Sequence, residues 1–349
     1  MLSFFSSSKS ITATINGRQI KVLPKETILT AALRNGVAFP YSCKVGGCAT
    51  CKCKLLDGKV KELTNASYIL SEDQLSSGYI LACQSVPRSD VRIEVDAEAT
   101  AAAQRTSAKV LACDRLTHDI LRLRVQLDEA LPYRAGQFAT LEFDDLPGVV
   151  RSYSFASTPS PTAQTSFYIR KVSGGAFTSF VHETSLVGKR LRVIGPEGEF
   201  WMRDGSDPLL MVAGGSGLAP IIAMLTQCLE NGENSRPVHL YFGARTAKDL
   251  YDLDCIQTLK ERWKAPFVFL PVLSAESEGS EWAGQRGLVA DHIEPQVAKN
   301  SEAYLCGPPP MVDSVLDKLL SVGNRRERIH ADRFITQKDV HSQETSQPV

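Results

Sequence analysis

The chain has 349 residues, 43% of them hydrophobic and 22% charged, with 39 Lys and Arg against 39 Asp and Glu. That length divides into two or three domains with enough apolar residues for separate cores. A net charge of zero argues against nucleic acid as a partner, and no apolar run comes near the ~18 residues of a membrane span.

The first ten residues, MLSFFSSSKS, have no basic start and only a short apolar stretch. A secretory leader is not expected, and a cytoplasmic location is. In a reducing compartment the nine cysteines point to metal or redox chemistry before disulfides.

Residues 10–97 read as a small α+β domain. SITATINGRQIKVLP alternates on both sides of Asn16-Gly17, a strong hairpin signal. ETILTAALRNG follows, with Ile28, Ala31 and Ala32 at helical spacing and Gly36 as the stop. Asp57-Gly58 marks another turn, and VRIEV (91–95) a closing strand. In CKVGGCATC, Cys43, Cys48 and Cys51 have four and two residues between them, and Cys83 lies further on in YILACQ. This is the spacing of plant-type [2Fe–2S] ligation. A tight loop presents three thiolates around one small cluster, and a neighbouring strand supplies the fourth. Gly46 and Gly47 let backbone amides approach the sulfides. Structural zinc would want a second C-x₂-C pair, which is missing. Cys53 is expected as a buried structural thiol, and Cys113, Cys228 and Cys255 as small buried hydrophobes. The segment resembles a plant-type ferredoxin domain, which implies a β-grasp fold. It departs from the acidic diffusible ferredoxins: residues 10–97 hold eleven Lys/Arg against eight Asp/Glu, and Lys44, Lys52 and Lys54 flank the cluster motif.

EATAAAQRTS (98–107) reads as a linker. Residues 108–204 are strand-rich. ILRLRVQL sets Leu121, Leu123, Val125 and Leu127 against Arg122, Arg124 and Gln126, and FATLEF and SFYIRKV look similar, so an antiparallel barrel or sandwich is expected. RSYSFAS carries Arg151, Ser152, Tyr153 and Ser154. An arginine there can fork onto a phosphate, a tyrosine can lie against ribityl or ring, and a serine can hydrogen-bond a flavin. YIRKVSGGAFTS follows, with glycines before a possible helix start that offers donors to a phosphate. Either motif alone would pass for a polar barrel loop.

Residues 205–335 alternate apolar strands with helical patterns, which means a parallel sheet with covering helices. GGSGLAP, with Gly215, Gly217 and Pro220, follows LLMVA and opens a helix, as a pyrophosphate site does, although Pro220 stands where the full dinucleotide motif has glycine. CGPPPM, with Cys306, Gly307, Pro309 and Met311, follows AYL. Residues 336–349 read as a disordered tail.

Together these motifs resemble the ferredoxin–NADP reductase superfamily. Taken with the ferredoxin-like start, they resemble the reductase components of bacterial multicomponent oxygenases, those of xylene and methane monooxygenases among them. The resemblance covers residues 10 to 335. It implies FAD on the barrel, held by Arg151, Ser152, Tyr153 and Ser154, with Ile169, Arg170 and the loop Gly175, Ala176, Phe177 and Thr178 at ribityl and pyrophosphate. It implies that Ser154, Cys306 and Phe334 shape the meeting of nicotinamide and flavin. Read without it, Cys306 is a buried thiol and Phe334 a core aromatic. Ser274 matches the Ser-Arg pair of NADPH-using relatives, but Ala275 replaces the arginine, and Glu276 and Glu278 would repel a 2′-phosphate. NADH is therefore expected, with Arg245 free to approach the adenosine end. The expected route is NADH to FAD to [2Fe–2S] to a terminal oxygenase, met in a transient complex by a monomeric reductase. A CDP-deoxysugar-type reductase serving a dehydratase, or a redox-sensing module, are the alternatives.

Overall fold

The computed structural model describes residues 11–334 except 42, 43, 45, 47, 48, 65, 67–69, 71 and 96–103. Cys43 and Cys48, most of the expected linker and the tail from 336 thus lie outside the described residues. The chain forms two compact units, the second being Ala103–Phe334.

The first unit is a five-stranded sheet in the order β2-β1-β7-β3-β5, built from β1 (Ile11–Ile15), β2 (Arg18–Val22), β3 (Lys52–Asp57), β5 (Tyr79–Leu81) and β7 (Val91–Glu94). A small side ladder joins β4 (Val60–Glu62) to β6 (Ser85–Pro87). Asn16 and Gly17 both take positive φ, 46° and 85°, as the two-residue turn between β1 and β2 requires. β1 pairs with β7 in parallel, and β3 runs antiparallel to β7 and β5. The helix Ile28–Arg34 starts where the Thr27 hydroxyl accepts the Thr30 amide and lays Ile28, Leu29, Ala31 and Ala32 on the sheet. This is the β-grasp arrangement that the ferredoxin resemblance implied.

The second unit begins with six strands in the order β11-β10-β13-β8-β9-β12: β8 (Gln104–Arg115), β9 (Ile120–Leu127), β10 (Phe138–Phe143), β11 (Arg151–Ser154), β12 (Gln164–Arg170) and β13 (Arg190–Glu197). An isolated bridge between Phe155 and Phe167 joins the two edges, so the sheet closes into a barrel. Gln104–Ser107, expected in the linker, are instead the first residues of β8, because pairing with β13 runs down to Gln104↔Gly195. Leu123 and Val125 point inward as the alternation demanded. β10 breaks that alternation and is buried at all six positions. Its outward Glu142 is covered by Arg192 and the Gly148 amide, and its outward Thr140 meets Ser152.

The rest of this unit is a parallel sheet in the order β17-β16-β15-β14-β18-β19, made of β14 (Leu209–Gly214), β15 (Val238–Ala244), β16 (Phe267–Leu273), β17 (Gln285–Arg286), β18 (Glu302–Gly307) and β19 (Ile329–Arg333). Helices Leu218–Asn231, Leu253–Arg262 and Pro309–Ser321 are its main covers. The chain winds one way from β14 to β17 and then returns to β18. The point where winding reverses, between β14 and β18, is where such sheets bind ligands at the carboxyl ends of their strands. Barrel and sheet share one apolar core: Ile120, Ala135, Ala156 and Tyr168 of the barrel pack with Leu218, Ile221, Met224 and Tyr251 of the sheet half. Each large side chain buried there is worth roughly 1.5–3 kcal/mol, so barrel and sheet form a single cooperative body.

Candidate redox site

In the first unit, Cys51 ends the cluster loop and Cys83 sits in the short 3₁₀ turn Ala82–Gln84. The Cys83 amide donates to Cys51 Sγ at 3.4 Å, so the turn brings the two sulfurs to one place. Gln84 is buried and braces both sides: its Nε2 donates to the Lys44 and Cys83 carbonyls and lies 3.6 Å from Cys83 Sγ. Gly46 has φ of 81°, and a Cβ there would fall 2.7 Å from Gln84 Cγ, so only glycine fits the loop against its brace. Two buried thiols brought together from a loop and a 3₁₀ turn, with N–H donors beside them, suit a thiolate-held cluster. Cys53 donates to the Ile80 carbonyl at 3.8 Å, and burial first, then the nearby Cys83, pushes its pKa up. It is the structural thiol expected. Cys228 is buried as expected, but Cys113 and Cys255 are only partly buried, each packed against a core from outside it.

On the barrel, β11 runs along one sheet edge. Arg151 is exposed, Tyr153 is half-buried with its ring tilted on Phe177 at 5.4 Å, and Ser154 is buried. Ser152 turns its hydroxyl to Thr140 across the strand pair. Ile169 and Phe177 are wholly inside the barrel core, so only their backbones are available to a ligand. Thr178 is buried beside them. Its hydroxyl is engaged within the loop, accepting from the Val172 amide at 3.1 Å and lying near the Val172 and Gly175 carbonyls. A Cβ on Gly175 would meet that hydroxyl at 2.7 Å. Gly175 caps the helix Ala176–Glu183 without any side-chain hydrogen bond, which leaves first-turn amides to a phosphate. Ala176 is small and exposed there.

The nucleotide turns follow β14 and β18. Gly215–Gly217 forms a 3₁₀ turn, and Gly217 opens the helix Leu218–Asn231, again with no side-chain cap. Pro220 lies buried in its first turn. Backbones here touch: a Cβ on Gly217 would fall 2.3 Å from the Cys306 carbonyl oxygen, and one on Gly307 2.8 Å from the Gly214 carbonyl oxygen. Met311 fills the space beside Gly214 and Gly243, one turn into the helix that Pro309 opens. This glycine-only cradle at the reversal point fits a dinucleotide. Arg245, Ser274 and Ala275 stand together at the far ends of β15 and β16, where the Ala275 amide donates to the Arg245 carbonyl at 2.8 Å.

At the seam of barrel and sheet lies Asp332, which the motifs did not single out. Asp332 of β19 pairs in register with Cys306 and accepts from Ser154 Oγ at 3.5 Å. Cys306 is fully buried, and burial with the nearby Asp332 carboxylate keeps it a neutral thiol. Phe334 follows, its amide donating to the Gly307 carbonyl at 2.9 Å. Ser154, Cys306 and Phe334 are thus gathered around Asp332. Burial lifts the Asp332 carboxyl to about 7, against a smaller lowering by the Ser154 hydrogen bond. A carboxyl with a raised folded pKa supports stability below its unfolded value near 3.8, and that support is lost as pH rises through about 7. Asp332→Asn is therefore expected to flatten thermal stability between those two pH values. Melting curves with FAD bound, taken at pH 4.5 and pH 8, check this; parallel profiles for variant and wild type would contradict it.

His118, Asp119 and Asp249 also converge, with donor atoms within 4.8 Å. Asp119 is paired to Arg170 and Asp249 accepts from Thr246, so the group is an ion-pair cluster.

Comparison with known proteins matches the three parts in the same order. Residues 13–88 match the 2Fe-2S iron-sulfur cluster binding domain, 107–201 the oxidoreductase FAD-binding domain, and 211–317 the oxidoreductase NAD-binding domain. The xylene/toluene monooxygenase electron transfer component XylA of Pseudomonas putida is 42% identical over 321 residues, covering 91% of each chain. The chain belongs to the family of reductase components of multicomponent oxygenases. The reductase component of a naphthalene 1,2-dioxygenase system, also of Pseudomonas putida, is 37% identical over 328 residues, 91% of this chain and 96% of that one. Among solved structures, the cytochrome P450 reductase GcoB of Amycolatopsis superposes with a TM-score of 0.67 at 32% identity, covering 93% of this chain and 99% of its own. The ferredoxin reductase in carbazole 1,9a-dioxygenase gives 0.67 at 31%, covering 94% and 99%. This reductase is therefore an oxidoreductase with NAD, FAD and [2Fe–2S] domains. Among the described residues no helix is long and apolar enough to cross a membrane.

Proposed function

We propose that the chain oxidises NADH and passes the electrons, through FAD and its [2Fe–2S] cluster, to a terminal oxygenase or hydroxylase component in a transient complex. The observation that carries this reading is the convergence of Ser154, Cys306, Asp332 and Phe334 where the barrel edge meets the reversal point of the parallel sheet. A bound FAD takes up two electrons together and hands them on singly, which is what couples a hydride donor to a one-electron centre.

The chain's own residues do the positioning. Arg151, Ser152, Tyr153 and Ser154 would line FAD along β11, with Arg170, the Ile169 backbone and the amides after Gly175 at its phosphates. Gly215, Gly217, Gly307, Pro309 and Met311 would cradle the nicotinamide half of NADH, behind the buried Pro220. Cys306 and Ser154 keep that cleft small and dry, and Phe334 closes it, so a hydride has one route. Cys43, Cys48, Cys51 and Cys83 would hold the cluster. The domain bounds that go with this reading are 10–97, 104–204, with Gln104 opening β8, and 205–335. A monomer in the cytoplasm suits a component that must meet its partner repeatedly.

Preference for NADH over NADPH rests on Glu276. Its carboxylate accepts from the Ala247 amide at 2.7 Å, and that bond first, then Ser280, holds its pKa low. The charge stands in the loops beside Arg245, Ser274 and Ala275, where a 2′-phosphate would meet it. The double substitution Ala275→Arg with Glu276→Gln is expected to raise kcat/KM for NADPH by about tenfold. Steady-state dye reduction with each nucleotide measures it, and no gain would remove Glu276 from the account. The reading as a whole is tested by reconstitution: NADH, this reductase and a terminal oxygenase component must together oxygenate a substrate, and must fail without the reductase. A dehydratase as the acceptor in place of an oxygenase would favour the CDP-deoxysugar alternative.

A further inference from the structure

The glycine turn after β14 is tied to the barrel by a chain of contacts that no cofactor motif accounts for. Asp252 is a non-glycine residue at φ of 53°, a conformation that persists only where neighbours over-determine it. Two barrel side chains do so. Arg122 of β9 forms an ion pair with one oxygen of its carboxylate, and the Tyr168 hydroxyl of β12 donates to the other. The carboxylate is only 8% exposed. Tyr251 precedes it and meets the same Tyr168. Its ring is edge-on to Phe242 at 5.5 Å and to Tyr168 at 5.6 Å, and its hydroxyl donates to the Gly215 carbonyl at 2.8 Å. Gly215 is left-handed, φ 54°, and a Cβ there would lie 3.3 Å from Nη1 of Arg170, whose Nε pairs with Asp119 at 2.8 Å. One turn of the nucleotide half is thus held by Tyr251, whose ring packs on Tyr168 of the barrel, with Arg170 of β12 close beside it.

We propose that Asp252 and Tyr251 are positioning residues for hydride transfer: Asp252 pins its segment to the barrel through Arg122 and Tyr168, and Tyr251 fixes the Gly215–Gly217 turn relative to the strand end that carries Ser154. This rests on the reading of that cleft as the hydride-transfer site. The shared apolar core already holds barrel and sheet together, so adhesion alone does not call for a buried ion pair, which seldom adds net stability. What the pair adds is a single register. Reacting atoms tolerate little error, and a displacement near 1 Å can cost about 100-fold in rate. Burial raises the Tyr251 pKa far above its ordinary value, so the hydroxyl remains a neutral donor at working pH.

The test uses the full chain with both centres loaded. Tyr251→Phe removes one hydroxyl and keeps the ring. Mixed rapidly with NADH without oxygen, it is expected to reduce its flavin about tenfold more slowly than wild type and to show a weaker long-wavelength nicotinamide–flavin absorption band. Bound FAD, the melting temperature and NADH affinity should stay near wild type, so that the loss falls on the rate and not on binding. Asp252→Asn should act in the same direction, and the double variant should be no slower than the slower single, because both act on one turn. A wild-type rate and band in Tyr251→Phe would overturn the proposal, and so would loss of FAD or of cooperative unfolding in it, since the contact would then be structural. If Asp252→Asn fails to fold, Tyr251→Phe alone decides. Wild-type protein that NADH does not reduce would sink the proposed function itself, whereas wild type reduced and variants unchanged would sink only this inference.

Discussion

Cys83→Ala is expected to lower NADH-driven cytochrome c reduction by about 100-fold or more while leaving NADH-driven ferricyanide reduction within about twofold of wild type. Cys83 is buried, its amide donates to Cys51 Sγ, and on the proposed ligation its side chain supplies one of the four thiolates. Removing it leaves three cysteines for a centre that needs four. Cys53, the nearest substitute, is directed at the Ile80 carbonyl and kept protonated by burial. Ferricyanide can draw electrons at the flavin, in a separate compact unit of the chain. Both assays on one preparation, with iron and FAD contents measured, separate the two centres. Equal loss in both assays would contradict the order flavin before cluster.

Gly217→Ala is expected to slow flavin reduction by NADH about 100-fold, with FAD still bound. The backbone at Gly217 is ordinary right-handed helix, φ −63° and ψ −9°, so alanine suits the local conformation. The obstacle is contact. The added Cβ would stand 2.3 Å from the Cys306 carbonyl oxygen, 2.6 Å from its carbon and 2.9 Å from the Gly307 nitrogen. All three are backbone atoms and cannot swing aside as a side chain would. The ends of β14 and β18 must part, at an overpacking cost of about 1–3 kcal/mol, and the cradle opens with them. The barrel is untouched, so the flavin spectrum and FAD content should match wild type. Rapid mixing with NADH reads the loss; a near-normal rate would mean that this turn does not carry the nicotinamide.

How much of this was legible in the sequence depended on distance along the chain. Local chemistry read well. Asn16-Gly17 gave its hairpin, Ile28 to Gly36 its helix, and the cysteine-rich motif its 2Fe-2S domain, because each depends on neighbours within a few residues. Periodicity gave the parallel sheet, since β14 is an apolar run buried at all six positions and β15 and β18 are mostly apolar and buried on both faces. It failed for β10, whose outward side is covered by Arg192, Gly148 and Ser152. The linker reading overran into β8 because Gln104–Ser107 are polar, yet they pair with β13. The motif does not disclose that the Thr178 hydroxyl is taken up within its own loop, by Val172 and Gly175. Asp332, Tyr251 and Asp252 went unread because their partners are remote: Ser154 lies 178 residues from Asp332, and Arg122 lies 130 from Asp252. No spacing rule reaches that far, and only the folded seam between barrel and sheet puts such pairs side by side.

The central claim is a sequence of centres, and an anaerobic titration with NADH tests it most directly, followed by visible absorption and low-temperature electron paramagnetic resonance. The account predicts that NADH bleaches the flavin bands and that a rhombic signal of one reduced [2Fe–2S] cluster grows to about one spin per chain. Both centres present yet unchanged by NADH, or a cluster that fills while the flavin is never drawn on, would contradict it.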